Sequence, residues 1–182
     1  PPKDIPLYKR YMPQNWEAQA KPLGINGTIV VACSSWLEDH DWIFSLAEQY
    51  KSIVGLIGNL SGTGPVSATA IENGTAVPVW SDMARFRREV RRLSQNPLFR
   101  GIRVAGNLVR DDIINGRYPH FEILADEGLV AEVIVVPAAD ILSLSKAIPS
   151  LTIVVNHMFD IKKTDSPSAQ WKSDIITLSE PE

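Results

Sequence analysis

Leu151–Met158 reads LTIVVNHM, so His157 follows directly on an apolar, strand-like run and on Asn156. An imidazole at such a position can ligate a divalent metal or move a proton near neutral pH. The bland alternative is a strand-end histidine satisfied by a backbone carbonyl. Arg100 and Arg103 lie inside a second apolar run, FRGIRVA. A guanidinium fork there has the geometry to grip a substrate carboxylate. Its alternative is an internal ion pair with a carboxylate of the same domain. Strand alternation puts Arg103 on the face of Gly101 and Ala105, where small neighbours leave room for a long side chain. Asn59 lies one residue before the end of IVGLIGNL and Ser34 follows GTIVVAC; both are candidate hydrogen-bond donors to a ligand. Cys33 reads as a small packed hydrophobe, because no His or Lys is near it in sequence. His40, in a helical stretch, and His120, at a helix start, read as surface or capping residues. The chain has no His-x-His, His-x-x-x-His or Cys-x-x-Cys pair, so these residues do not complete a metal site by themselves.

The elements that must position these residues alternate regularly. Residues 1–22 hold five of the 13 prolines and read as an extended N-terminal arm leading into a short helix around Trp16–Ala20. From there to residue 182 the chain reads as one domain. Short apolar runs predict buried strands at Gly27–Cys33, Ile53–Leu60, Phe99–Ala105, Val130–Val136 and Leu151–Met158. Between and after them, three-and-four spacing predicts helices at Glu38–Tyr50, Trp80–Ser94, Tyr118–Glu127, Ala139–Ala147 and Ser168–Leu178. Ser35, three residues before Glu38, suggests a weak capping box. Residues 61–79 are rich in Gly, Ser, Thr, Ala and Pro and carry no period, as in a long functional loop. Five arginines on the 80–94 helix read as a solvated outer face.

Each connection between strands holds a helix, so the strands should be parallel with right-handed crossovers. The fold class is therefore α/β, built of parallel βα repeats. An open doubly wound sheet and part of a (β/α)8 barrel both fit. A complete barrel needs about 250 residues, more than this chain supplies. In either architecture ligands meet the C-terminal ends of the strands, where His157, Arg103 and Asn59 lie.

Composition narrows the function classes. The chain has 182 residues, 45% hydrophobic and 21% charged, with a net charge of −3. That supports one sizeable core and argues against disorder. There is no basic surplus to neutralise phosphates, so nucleic acid is not an expected partner. No apolar run is long enough to span a membrane, and the opening Pro1-Pro2-Lys3-Asp4 is not a secretory leader; a cytoplasmic protein is expected. Cys33 is the single cysteine, which excludes an internal disulfide. No Gly-x-Gly-x-x-Gly turn follows the first strand, and Ser61-Gly62-Thr63-Gly64 lacks the lysine of a P-loop.

The order of three segments resembles the amidohydrolase-related family, the metal-dependent hydrolases of TIM-barrel fold. GINGTIVVACSSWLEDHDWIFSLAEQYKSIVGLIGNL is similar to that family's second and third βα units. PLFRGIRVAGN is similar to its "GiR" strand. HFEILADEGLVAEVIVVPAADILSLSKAIPSLTIVVNHM is similar to its stretch from the "LaerGL" helix to "P-x-L-x-x-V-x-D-H-x-G". The likeness covers most of residues 24–158. It implies an incomplete (β/α)8 barrel, strands two to six, in residues 23–182. It implies a divalent metal, zinc or manganese, with His157 as the metal-binding or catalytic histidine and Arg103 as a ligand of a substrate carboxylate. The activities it implies are hydrolysis of a lactone by activated water or, as a variant, decarboxylation.

This sequence departs from the family pattern at Asn156, where the family has Asp, and at Phe159, where it has Gly. The family's His-x-His strand would precede Pro1, and its Asp-bearing last strands would follow Glu182. The chain is thus expected either to be a piece of a longer hydrolase, inactive alone, or to self-associate through exposed strand edges. The alternative from another class is a non-catalytic α/β domain that binds a small molecule or a protein.

Overall fold

The structure is a computed structural model, and it describes residues 9–34, 36–61, 78–105, 116–158 and 168–179. Five strands, β1 (Thr28–Val31), β2 (Ile53–Asn59), β3 (Phe99–Ala105), β4 (Val130–Ile134) and β5 (Thr152–Val155), form one sheet in the order β1-β2-β3-β4-β5. All four pairings are parallel. The helices are α1 (Pro13–Ala20), α2 (Glu38–Gln49), α3 (Met83–Ser94), α4 (Pro119–Asp126), α5 (Ala138–Ala147) and α6 (Ala169–Ser179). Helices α2 to α5 each join two neighbouring strands, as the alternation predicts. No described helix is long and apolar enough to cross a membrane.

The strand order never reverses. A doubly wound sheet reverses at a switch point, with helices on both faces; these five strands have no such point. Crossovers of one hand in an unreversed order lay the helices on one face, and burial agrees. Leu56, Ile102, Val104, Ala131 and Val133 pack with Phe86, Val90, Leu93, Phe121, Leu124 and Leu144 in one core. The opposite face leaves Ile29, Val54 and Val154 about half exposed and carries the polar residues of the strands.

Two register slips shape that open face. Leu56 pairs with Phe99 but Ile57 with Gly101, so Arg100 is an extra residue in β3. Thr28 pairs with Ile53 but Ile29 with Gly55, which makes Val54 extra in β2. Gly101 is required here. Its φ is +158°, and a Cβ would come 2.0 Å from the Val130 carbonyl oxygen. The slip lets Arg100 lie over Gly55 beside Ile29.

Local chemistry explains the boundaries. The Asp82 carboxylate accepts the Arg85 N–H at 3.0 Å and starts α3 three residues later than the spacing predicts, after a 3₁₀ turn at Val79–Ser81. The arginines of α3 face outward at 87, 88, 91 and 92, as expected; Arg92 pairs with Asp41 and Glu89, and Arg91 with Glu127. Strand β4 stops early because Val135 turns to φ 56°. Residues 62–77, most of the expected loop, and Ser35 of the expected capping box lie outside the described residues; the α2 N-cap is Leu37, with no side-chain cap.

Two expectations are overturned. His40 and His120 are not surface or capping residues: both are buried. The His120 ring stacks on Trp80 at 4.1 Å and 8°, and its Nε2 bonds the Trp80 carbonyl at 2.7 Å. That ties the 3₁₀ turn to α4 beneath an edge-on cluster of Phe86 and Phe121.

Candidate functional site

A polar row crosses the open face at the C-terminal ends of the strands. Asn59 pairs in register with Arg103, and Arg103 with Glu132. The Arg103 Nε donates to Glu132 Oε2 at 2.7 Å, and Nη2 donates to Oε1 at 3.0 Å. Nη1 donates to Cys33 Sγ at 3.3 Å, across to the end of β1. From the other side, the Asn156 amide donates to Glu132 Oε1. Residues after β1 and β5 are thus linked through a pair on β3 and β4.

The pair is largely sheltered. The Arg103 side chain is 17% exposed and that of Glu132 6%. Hydrogen bonding to Glu132 raises the Arg103 pKa above its ordinary value, with burial opposing. Of the guanidinium N–H groups, one on each terminal nitrogen remains unspent among the described residues. Beside it, Asn59 Oδ1 accepts from the Ser61 N–H at 3.0 Å and hydroxyl at 2.6 Å. That orients the Asn59 side chain and leaves its NH₂ without a partner among the described residues.

The ends of β4 and β5 are strained. His157 sits at φ 51°, ψ 20°, and its N–H bonds Asn156 Oδ1 at 2.6 Å. Val135 sits at φ 56° and is 70% exposed. Each lies two residues beyond the last ladder pair, Val133 with Val155. A β-branched residue at positive φ is unusual, and such strain gathers at functional sites. A cavity of about 270 Å³ opens there, lined by Val133, Val135, Pro137, Val155, Asn156 and Asp174.

A larger cavity, about 510 Å³, lies at the opposite end of the strands between α1 and α2, against Trp16, Val30, Trp42, Leu46 and Ile53. No charged side chain lines it among the described residues. Size favours it, but convergent polar groups and parallel-sheet topology favour the C-terminal ends. We assign the candidate site there.

The three residues expected from sequence, His157, Arg103 and Asn59, thus lie at the same end of one parallel sheet. Arg103 and Asn59 are register neighbours, while His157 is exposed beside Asn156. Arg103 takes the ion-pair alternative, with donors to spare. Cys33 corrects its expectation: it is exposed and touches a guanidinium, rather than packing as a hydrophobe. Sequence reasoning missed Glu132, although a lone carboxylate in VAEVIVV is the signal that could have found it.

Among the described residues, no three His, Cys, Asp or Glu side chains converge to hold a metal. Glu132 directs both carboxylate oxygens at Arg103 and Asn156. The described residues therefore do not fit a metal centre as they stand. No family model matches the sequence, and no curated protein or solved structure matches it.

Proposed function

We propose that these five βα units are consecutive units of a (β/α)8 barrel, and that its C-terminal mouth hydrolyses a lactone or related ester of a small carboxylic acid. The barrel reading is supported by the unreversed strand order and by the open face, whose strands carry alternating side chains as a barrel interior does. The resemblance to the amidohydrolase-related family, in the order of its motifs, points the same way.

The observation that carries the activity is the Arg103–Glu132 pair. A guanidinium held bidentately is fixed in direction before any ligand arrives. Its remaining N–H groups, with the Asn59 NH₂, form a donor set suited to a carboxylate or a carbonyl oxygen on which charge develops. His157, exposed at the same end, is the group suited to take a proton from an attacking water. No step is routed through a metal, because the described residues do not assemble one.

The test is a lactone panel presented to the natural polypeptide that carries these units, as purified and after addition of zinc or manganese. Turnover of at least one lactone is expected, with a loss of about 100-fold in His157→Ala. Absence of turnover across the panel, or full activity in His157→Ala, sinks the reading. Decarboxylation of an unsaturated acid by the same mouth is separated by assaying carbon dioxide release.

A non-catalytic binding domain is the second reading. The saturation of Glu132 by Arg103 and Asn156 favours it, since a closed ion pair is also a structural tie. Carboxylate binding without turnover would establish it. We further propose that the outer edges of β1 and β5, unpaired among the described residues, associate with another copy. Size-exclusion chromatography with light scattering should give a dimer or larger; a stable monomer contradicts this.

A further inference from the structure

We infer that His40 is a positioning residue for the mouth: an acid-released latch on the end of β2. This needs only the local geometry and not the reaction proposed above. The ring is fully buried between α2 and the strands. Its Nδ1–H donates to the Leu37 carbonyl at 2.9 Å, within α2. Its Nε2 accepts the Asn59 N–H at 3.0 Å. The two partners together assign the neutral Nδ1–H tautomer.

Gly58 leaves the ring no slack. A Cβ there would lie 2.8 Å from Nε2 and 2.9 Å from the Phe99 ring, so His40 rests on bare backbone. Protonation would set an Nε2–H against the Asn59 N–H, donor facing donor in a buried site. A buried N–H that loses its acceptor is left unsatisfied, which favours local opening. Asn59 ends β2, and its Oδ1 holds both the Ser61 N–H and hydroxyl, so a displacement at Asn59 carries Ser61 with it. The Asn59 NH₂, a donor beside Arg103, is then misplaced.

The charges around the ring compete. Asp39 and Asp41 on its own helix favour protonation, and Arg92 of α3 opposes it. From β2 the ring meets Gly58 and Asn59, and Phe99 of β3 lies on the same face of Gly58; none of them is titratable. Burial outweighs the rest and lowers the pKa below the ordinary histidine value. The latch is closed at neutral pH and opens below the usual histidine range.

The experiment uses the full chain, labelled with ¹⁵N. Long-range histidine spectra follow the His40 ring nitrogens while amide exchange follows Asn59, with Ala131 and Val133 of β4 reporting global opening. At pH 7 only Nδ1 should carry hydrogen. As pH falls through the ring titration, Asn59 protection, corrected for intrinsic exchange, should drop by roughly tenfold or more while β4 holds. His40→Gln, whose side-chain carbonyl can still accept from Asn59, should keep its protection constant over that range. An Nε2–H tautomer at pH 7, Asn59 protection unmoved as the ring titrates, or an equal loss in His40→Gln each overturns the latch. The wild-type titration decides the matter alone if the variant does not fold.

Discussion

At the end of β2 the chain is clamped, with both nitrogens of a buried imidazole used and a glycine giving the ring its seat. At the ends of β4 and β5, the same side of the same sheet, the chain is exposed and turns through the left-handed region at a valine and a histidine. The first region spends the imidazole, the Asn59 N–H and the Asn59 Oδ1 on internal bonds and leaves the Asn59 NH₂ for a ligand. The second carries backbone strain and leaves His157 open to solvent. Satisfied, buried contacts stabilise a scaffold, whereas strain that the surroundings maintain is where function tends to gather. The Arg103–Glu132 pair joins the two, with Asn59 on one side and Asn156 on the other.

Breaking that join should have the largest effect. Arg103→Ala leaves the Glu132 carboxylate buried and uncompensated, a loss of about 3–5 kcal/mol. Urea unfolding should show it, with much of the stability returning in Arg103→Ala/Glu132→Gln. A loss under about 1 kcal/mol would mean that the pair is solvated and not a tie.

Gly58→Ala tests the clamp alone. The added methyl must displace either the His40 ring or Phe99, and overpacking of this kind costs about 1–3 kcal/mol. Thermal unfolding should register the drop, whereas Val135, in the exposed region after β4, should accept substitution without loss.

The comparison also turns on pH. His40 is neutral in the folded chain because burial lowers its pKa, while in the unfolded chain it titrates near the ordinary value of about 6.5. Below that value the unfolded state binds the extra proton, so stability is full above about pH 6.5 and falls as pH drops toward the folded-state value. Denaturant midpoints between pH 7.5 and 5 should decline in the wild type and decline less in His40→Gln. Parallel declines would assign the acid sensitivity elsewhere.

The smallest effect should have the opposite sign. Val135→Gly relieves a β-branched residue of positive φ but enlarges the unfolded ensemble, for a net gain of roughly 0.5–1 kcal/mol. Destabilisation would remove the idea that this end is strained.

Much of the fold was legible because its signals are local. β3 runs from Phe99 to Ala105, the span its apolar run predicts, and Phe86, Val90 and Leu93 form the buried stripe that their spacing predicts. The end of the sheet that carries Asn59, Arg103 and His157 followed from parallel topology. Pairing was not legible. Arg103 and Glu132 meet across 29 residues, and only the strand order and register bring them together. His40 was misread although its spacing to Ile43 and Ala47 places it on the buried stripe of α2. A titratable residue on an apolar stripe needs partners, and one of them, the Asn59 N–H, belongs to a strand 19 positions away. Strain at Val135 and His157 has no signature in residue type.

The central claim is that the C-terminal strand ends present one ligand-binding mouth built around Arg103. The most direct measurement is titration of the ¹⁵N-labelled chain with a small hydroxycarboxylate, the product class of lactone hydrolysis. The Arg103 Nε–H, the Asn59 side-chain amide and the His157 backbone amide should shift together along one binding curve. Shifts confined to the Trp16 and Trp42 cavity at the other end of the sheet, or no saturable shift at these three groups, would contradict it.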